Sequence, residues 1–546
     1  MSGSVAHALD WALVGGFVHR DAASAPEPLA IGMKDGAIAF VGGEQELGAS
    51  VPTRRLAGHH VYPGFADAHG HLYHLGARLE EVRLEDAHSA DEVLARVRAA
   101  ATSMPASAWV LGGGWDESLW TDGRMPSAED LEAASGGRPA CLQRRDCHAV
   151  WVSASVLALA GIDASTAEIE GGRILRDTSG RPTGVLIDRA KDLVTRMVPA
   201  PTYDAMRRRL LLAMRACSEA GLTAVHDMGV DAAELAALRE LDREGRLPIR
   251  VHAAVHDEAT LWAEEFARGP QKGEGHRRLA VRAVKLFSDG ALGSRGAALF
   301  EDYTDDPGNR GLLLLHGDEL IERLTRATRA GFQSCVHAIG DRANREVLDA
   351  FATMAGGPDG AAFLALRPRI EHAQVLAESD IARFAAIGVI ASMQPVHAAG
   401  DQRWAEARLG TERARFAYAN QSLAQAHARL CFGSDFPIET HDPREGLIAA
   451  RTRALLGGDT GGGWNPSEQV SAEVAIAGYT SGPAYASFGE NERGKIAEGY
   501  LADFTIWDRD LNSASAAELR QARVIATIVA GKLEHSALPP GAVVRR

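Results

Sequence analysis

The sequence predicts an α/β fold: a (β/α)₈ barrel of the TIM type, with a small composite β-sandwich domain built from both chain ends. The middle of the chain alternates short apolar segments with helical stretches, which is the pattern of βα units. These apolar segments number about eight, as a closed parallel barrel requires. Both chain ends are rich in short strand-like segments. A length of 546 residues fits a barrel with an appended domain.

Both ends of the chain are predicted to form short strands. Near the N-terminus, apolar segments at residues 11–14, 29–33 and 37–41 are separated by polar turn material. Near the C-terminus, residues 504–507 and 524–532 repeat this pattern. We therefore predict that residues 1–60 and 481–546 meet in one small β-domain.

The predicted barrel occupies residues 61–83 and 202–480. Its candidate strands are residues 61–66, 223–227, 249–255, 283–287, 333–337, 369–372, 390–394 and 430–434. Residues 84–201 interrupt the barrel after its first strand, and we expect this insertion near the barrel mouth. The sequence has no solenoid repeat and no extended low-complexity tract.

Composition and charge limit the classes of function. The chain is 46% hydrophobic and 24% charged, as expected of a globular protein with a large core. A net charge of −14 argues against a nucleic-acid or anionic-membrane surface, because both need clustered positive charge. We see no signal peptide, no apolar run long enough to span a bilayer, and only scattered cysteines. We therefore expect a cytoplasmic protein that acts on a small molecule, with no nucleic acid and no membrane as partner.

Six residues of metal-binding or proton-transferring types fall at the ends of predicted strands. His69 and His71 follow the first strand at positions i and i+2, which project to the same face of an extended segment, so both imidazoles can reach one metal ion. Lys285 lies in an otherwise apolar strand. Three later strands end in His337, His372 and Asp435. Barrel enzymes place their catalytic groups at this end of the strands.

Each of these residues has an ordinary structural alternative. A His-x-His pair is frequent by chance, and Lys285 could extend its amine along an apolar barrel wall. His337 or His372 could be a hydrogen-bonded core histidine, and Asp435 could cap the following helix. The coincidence of all six at strand ends of one chain favours a metal centre.

Longer motifs surround these residues and extend the pattern along most of the chain. They are PGFADAHGHL (63–72), GGGWDESLW (112–120), GRPTGVLID (180–188), KLFSDGALGSR (285–295), VHAIGDRA (336–343), RIEHAQ (369–374), FGSDFPIE (432–439) and GKIAEGYLADFTIWD (494–508). Together they resemble the amidohydrolase superfamily, and more narrowly amidohydrolase family 3, the YtcJ-like group that includes N-substituted formamide deformylases.

The resemblance implies a hydrolase with one or two divalent metal ions, most often zinc. His69, His71 and Asp435 would hold the more buried ion, and His337 and His372 the more exposed one. Water shared between two such ions would ionise near neutral pH.

The resemblance also implies roles for two of these side chains. Lys285 would bridge the ions as a carboxylated lysine, because burial near cations lowers the pKa of a lysine and leaves a neutral amine that can react with CO₂. Asp435 would be the catalytic acid–base: it would take a proton from the attacking water and pass it to the leaving nitrogen.

We select three candidate substrate-binding residues from their positions. Trp115 lies in the insertion, where an aromatic side chain would suit an apolar or aryl group; alternatively, the tryptophans of this segment form its own core. Asp289 and Arg295 follow Lys285 at the catalytic end of the predicted barrel, where they would shape the pocket.

We therefore expect hydrolysis of a C–N bond in a small amide, with an N-formyl amide as one candidate. Hydrolysis of an ester, lactone or carbamate is the alternative, because the same ligands would serve it. A catalytically silent metal-binding scaffold is disfavoured, because no ligand position is lost. Barrels of this group commonly form dimers, so the resemblance also allows a homodimer.

Overall fold

The computed structural model describes residues 9–105, 108–117, 120, 126–144, 149–169, 171–273, 277–454, 463–537 and 543–544. The chain divides into two compact units. The larger unit combines Met1–His74 with Leu210–Arg546, and the smaller unit is Leu75–Arg209.

The larger unit contains a sheet of eight parallel strands whose order follows the chain. The strands are β1 (Phe65–Gly70), β2 (Leu222–Val230), β3 (Arg250–Val255), β4 (Leu279–Phe287), β5 (Gln333–Ala338), β6 (Arg369–His372), β7 (Ile390–Met393) and β8 (Arg429–Phe432). The sheet nearly closes on itself beyond β8, because Gly70 bridges to Phe436 and the Asp435 N–H donates to the His69 carbonyl at 2.7 Å. The predicted TIM-type barrel is confirmed.

Helices alternate with these strands along the chain. They are Leu72–Glu80 after β1; Tyr203–Glu219 before β2; Ala232–Arg243, Ala259–Arg268, Gly317–Arg329, Asp341–Gly356, Gly360–Ala365 and Glu378–Ile387 between β2 and β7; Pro395–Asp401, Ala405–Ala414 and Asn420–Gln425 after β7; and Pro443–Thr452, Ala472–Tyr479 and Ser481–Ala486 after β8. In one of these helices, Leu320, Leu324 and Ala327 recur at helical spacing and are buried, which is why that segment forms an amphipathic helix.

Strands from both chain ends form two five-stranded sheets in the larger unit. In sheet order, one has Val543–Val544, Thr53–Arg55, Trp11–Val14, Ala30–Lys34 and Ala37–Gly42, and the other has Phe17–Val18, His60–Pro63, Phe504–Trp507, Val524–Val529 and Lys532–Ser536. Side chains from both sheets share one buried apolar cluster that includes Leu13, Ile31, Val61 and Ile506.

The barrel strand predicted at residues 61–66 is wrong in its position, because the chain forms two strands there. His60–Pro63 pairs with Phe504–Trp507 in an end sheet, and only β1, which follows, enters the barrel. Gly64 separates the two strands, and an added Cβ there would lie 2.4 Å from Oγ1 of Thr223 in β2. The Thr223 side chain therefore leaves no room for a Cβ at this position, which favours glycine.

The smaller unit has its own six-stranded sheet. Its strands, in sheet order, are Gly172–Arg176, Pro182–Asp188, Ala149–Val152, Ala140–Arg144, Val110–Trp115 and Val82–Arg83, and its helices include Ala90–Thr102, Ala128–Ala134, Ala154–Ala160 and Asp192–Thr195. The predicted insertion, residues 84–201, lies within this unit.

Membrane-spanning helices and disulfides are both absent from the described part of the chain. No helix there combines the length and the apolarity that crossing a membrane requires. The four described cysteines are buried free thiols, and Cys147 lies outside the described residues.

Candidate active site

One cavity at the carboxyl end of the barrel brings all six predicted ligand residues together. Its volume is about 650 Å³. The predicted ligands that line it are His69, His71, Lys285, His337, His372 and Asp435. The rule that selected them, strand ends of a parallel barrel, therefore predicts their convergence correctly.

His69, His71 and Asp435 form one compact group. Asp435 Oδ1 lies 2.9 Å from His71 Nε2 and 3.5 Å from His69 Nε2. Candidate ligand atoms of the three residues all lie within 4.8 Å of one another, which fits a single divalent ion. The amine of Lys285 lies 3.3 Å from His69 Nε2, at the edge of this group.

His372 lies beside this group and connects it to His337. The centroid of its ring is 4.8 Å from that of His69 and 4.6 Å from that of His337. Imidazoles, one carboxylate and one amine thus surround a common space, and imidazole and carboxylate are ligand types that suit zinc and similar metals.

Buried polar side chains orient two of these histidines. His69 Nδ1 lies 2.6 Å from Glu371 Oε2, and His372 Nδ1 lies 2.7 Å from Gln394 Oε1. An oxygen acceptor at Nδ1 keeps the hydrogen on that nitrogen and leaves the Nε2 lone pair free for a metal. Glu371 also forms a fully buried ion pair with Arg369, with 2.8 Å between Oε1 and Nε.

The electrostatics of the site favour cation binding. Burial, with the nearby Lys285 charge, lowers the pKa of His69 to about 4 and that of His337 to about 3. Burial would raise the pKa of Asp435, but the His71 hydrogen bond and the neighbouring imidazoles outweigh it and hold that pKa well below its ordinary value. At neutral pH the buried histidines therefore keep a free lone pair and Asp435 is an anion.

Two of the predicted ligands have a strained backbone. His372 has a φ of 76° and Asp435 a φ of 58°, in the left-handed region that non-glycine residues rarely occupy. Such conformations cost about 1–3 kcal/mol each and cluster at functional sites. Strain at these two positions agrees with a functional origin for the geometry.

The model of the amidohydrolase family matches residues 55–534, a span that contains the barrel and all six ligand residues. The chain belongs to the amidohydrolase family. This match confirms the family indicated by the sequence motifs. It also makes the chain a hydrolase of a metal-dependent class, in agreement with the His and Asp groups at its site.

Relatives of this amidohydrolase match it over most of their length. The putative amidohydrolase YtcJ of Bacillus subtilis is 33% identical over 95% of this chain and 98% of its own. The N-substituted formamide deformylase of Arthrobacter pascens is 28% identical over 93% of this chain and 94% of its own. The crystal structure of an uncharacterised metal-dependent hydrolase from Pyrococcus furiosus superimposes with a TM-score of 0.76 and 31% identity, covering 92% of this chain and 99% of the other.

The site of this amidohydrolase also contains His397, which the sequence interpretation missed. Its Nε2 lies 3.7 Å from Asp435 Oδ2, and its ring is parallel to that of His372 with centroids 6.0 Å apart. This nitrogen is buried and has no hydrogen-bond partner among the described residues. His397 follows β7 by four residues, so the strand-end rule that selected the other six could have found it.

The three predicted substrate-binding residues lie in different surroundings. Asp289 is buried, accepts hydrogen bonds from the backbone N–H groups of Ala298, Ile339 and Gly340, and has Oδ1 3.4 Å from His337 Nε2. Its carboxylate therefore holds the loops after β4 and β5 together behind His337, a predicted metal ligand. A role in substrate binding stays a prediction for Asp289.

Arg295 and Trp115 are each engaged with neighbours of their own. Arg295 forms a two-pronged ion pair with Asp305, at 3.1 and 2.9 Å. Trp115 is 1% exposed in the core of the smaller unit, where it packs against Trp120 and Trp151. The packing of Trp115 matches the alternative of an aromatic core within the insertion. Substrate contact stays a prediction for both Trp115 and Arg295.

The rest of the cavity wall is mainly apolar. Its apolar side chains are Phe287, Leu292, Ile339, Trp404, Pro437 and Ile438. Two carboxylates, Asp401 and Glu439, also line it. Asp401 accepts a short hydrogen bond from the Tyr418 hydroxyl, and burial raises the pKa of Glu439 to about 7. Apolar walls with a few polar groups are typical of small-molecule sites.

Proposed function

We propose that this amidohydrolase cleaves the C–N bond of a small, neutral or apolar amide, with an N-substituted formamide as the first candidate. The observation that carries the proposal is the complete set of six ligand residues around one largely apolar cavity. The relative named N-substituted formamide deformylase, which the chain matches over 94% of its length, supports this bond class.

The side chains at the site fit zinc or another divalent ion. His69, His71 and Asp435 would hold one ion, and His337 and His372 a second. The fit rests on the free Nε2 lone pair of His69 and on the compact spacing of the first group. When bound, the metal would polarise the scissile carbonyl and promote ionisation of water near neutral pH.

We also propose that Lys285 is carboxylated. Its side chain is 1% exposed, and burial lowers the pKa of its amine. The neutral amine would attack CO₂, form an N–C bond and release a proton, leaving a carbamate. The carbamate supplies anionic oxygens, which bind divalent cations where an ammonium cannot.

Asp435 is proposed as the acid–base residue of the reaction. Its carboxylate is held by His71 on Oδ1 and faces His397 from Oδ2. The carboxylate would accept a proton from water as that water's oxygen bonds to the amide carbon. It would then deliver the proton to the leaving nitrogen as the C–N bond breaks, giving an acid and an amine.

The apolar wall would bind the substituent of the amide. Phe287 ends β4 and Leu292 lies in the loop that follows it, whereas Trp404 lies in the segment after β7. Burying an aryl or alkyl group against such side chains contributes roughly 1.5–3 kcal/mol of binding free energy. We therefore expect substrates whose nitrogen or acyl carbon carries an apolar substituent.

Two expectations about organisation accompany this proposal. The end sheets would form a composite β-sandwich domain, because side chains of both sheets pack in one apolar cluster. The enzyme would act as a homodimer on a small-molecule substrate, without a nucleic-acid or membrane partner.

A hydrolysis screen at fixed zinc concentration tests the proposed bond class. The substrates are N-substituted formamides, acyl amides, esters, lactones and carbamates, and Asp435→Asn gives the background rate for each. Turnover of formamides or acyl amides above this background supports the proposal. Turnover of esters, lactones or carbamates alone would replace it with the alternative bond class. A zinc-loaded protein that hydrolyses none of them would favour the silent scaffold.

A further inference from the structure

A second cavity of about 500 Å³, which we call the basal cavity, lies at the opposite end of the barrel. Its wall includes Ala224, Arg250 and Ala280, which lie near the N-terminal ends of β2, β3 and β4. The proposed metal ligands lie at the carboxyl ends of the parallel strands. The basal cavity is therefore separate from the candidate active site.

The wall of the basal cavity is strongly cationic. Six basic side chains line it, Arg250, Lys272, Arg277, Arg278, Arg282 and Arg493, against the two acidic side chains of Asp35 and Glu492. This excess contrasts with the net charge of −14 of the whole chain. A concave site lined by one sign of charge concentrates the opposite charge.

Three of these cations, Lys272, Arg282 and Arg493, lack a carboxylate partner within ion-pair distance in the described part of the chain. Arg282 stacks on the Phe488 ring, with 3.7 Å from its guanidinium carbon to the centroid. Arg493 donates a hydrogen bond to the Ser487 hydroxyl at 2.9 Å. By contrast, Arg250, Arg277 and Arg278 are each paired with a carboxylate, those of Asp503, Asp242 and Glu534, at 2.7, 3.2 and 2.6 Å. Arg282 and Arg493 therefore leave uncompensated positive charge on the wall.

The pKa values of these groups reflect the same excess of charge. Burial, followed by repulsion from Arg250, lowers the pKa of Arg493 to about 10. Burial and repulsion from Arg367 lower the pKa of Arg282. An anion in the cavity would oppose both effects.

His226 adds a buried hydrogen-bond donor to this wall. Its Nδ1 lies 2.9 Å from Nη1 of Arg369, and because a guanidinium only donates, Nδ1 accepts and the hydrogen lies on Nε2. The His226 side chain is 1% exposed, and Nε2 has no hydrogen-bond partner among the described residues. Nε of Arg282 is likewise buried without a partner there. Unpaired buried donors are rare and call for an acceptor.

We propose that the basal cavity binds a small molecule bearing an oxyanion, a phosphate or a carboxylate, between the guanidinium groups of Arg282 and Arg493. The planar guanidinium fork matches both oxyanions in two-pronged geometry. The cavity is larger than an inorganic anion needs, so it accommodates an organic body as well. The site does not depend on which bond the active site cleaves.

Isothermal titration of the zinc-loaded full-length protein with inorganic phosphate, and separately with acetate, tests the site. Arg282→Gln and Arg493→Gln each remove one proposed contact. Arg429→Gln is the matched control, because Arg429 also stacks on an aromatic ring, that of Tyr485 at 4.7 Å, at the start of β8 but outside the basal cavity. Phosphate bound at zinc would appear equally in all four proteins.

We expect each cavity variant to weaken phosphate or acetate binding by about tenfold and the control to change it by less than about twofold. If the cavity variants weaken binding of phosphate alone, the ligand carries a phosphate. If they weaken binding of acetate, the ligand carries a carboxylate. Equal affinities in all four proteins, or no binding to the wild type, would overturn the proposal.

Chemical protection of the wild type gives a second reading that does not depend on the folding of any variant. Phosphate or acetate should slow phenylglyoxal modification of Arg282 and Arg493 but not of Arg429, as mapped by peptide mass spectrometry. If neither anion changes the modification rates of Arg282 and Arg493, the proposal is likewise overturned.

Discussion

The carboxylate of Glu371 is placed to orient His69, a proposed metal ligand, so Glu371→Gln tests how this barrel prepares its site. In the structure Glu371 Oε2 lies 2.6 Å from His69 Nδ1, and Oε1 lies 2.8 Å from Nε of Arg369. Burial would raise the pKa of Glu371, but the Arg369 charge outweighs it and holds that pKa well below the ordinary value. The carboxylate is therefore ionised at neutral pH, and glutamine removes that charge alone.

Glu371→Gln is expected to lower both the stability of the protein and its affinity for metal. Removing one charge of a buried ion pair costs about 3–5 kcal/mol of stability, because the other charge stays buried without compensation. Exchanging the charged acceptor that orients a metal-binding histidine for a neutral amide lowers metal affinity by about 10- to 100-fold.

Glu265→Gln separates these two effects. Glu265 is 1% exposed and pairs with Arg239 at 2.8 Å, but it lies on the barrel helix Ala259–Arg268, away from the ligands. Both variants should lose stability, and only Glu371→Gln should lose zinc affinity in a chelator competition. Equal zinc affinity in the wild type, Glu371→Gln and Glu265→Gln would refute the orienting role of Glu371.

Other perturbations test the protonation states, the additional histidine and the cavity wall. Lowering the pH from about 7 to about 5 should destabilise the metal-free protein, because the unfolded chain then binds protons that buried His69 and His337, with pKa values of about 4 and about 3, do not bind in the folded chain. The free energy of unfolding should fall by up to about 1.4 kcal/mol per pH unit for each such histidine, so a transition temperature that does not fall over this range would contradict these pKa values. His397→Asn should lower kcat by about 100-fold with metal content unchanged, as measured by steady-state kinetics and elemental analysis; loss of metal would instead make His397 a ligand. Phe287→Ala should raise KM about tenfold more for aryl than for methyl formamides. An equal change for both would show that Phe287 does not contact the substituent of the amide.

The convergence of the six proposed ligand residues is predictable because it depends on one regularity of parallel barrels. Strands such as β4 and β5 run in the same direction, so Lys285 and His337 reach the same end of the sheet although 52 positions separate them in the chain. The sequence pattern alone, without contacts, was enough to place them together. His397 follows the same rule, because it lies only four residues beyond the end of β7.

Other features depend on tertiary pairing that local patterns do not specify. Residues 61–66 look like one apolar strand, and the division at Gly64 becomes visible only when His60–Pro63 pairs with a strand more than 400 residues away. The contact between His69 and Glu371 joins positions 302 residues apart. Spacing along the chain carries no information about such contacts.

We propose that this chain hydrolyses a C–N bond with a metal held by its strand-end residues. The most direct measurement is the rate of amine release from an N-substituted formamide before chelation, after chelation, and after zinc is returned. We predict that turnover is lost on chelation and restored by zinc in the wild type, and that Asp435→Asn shows no such recovery. Turnover that persists in the chelated protein, or amine release by Asp435→Asn at the wild-type rate, would contradict the claim.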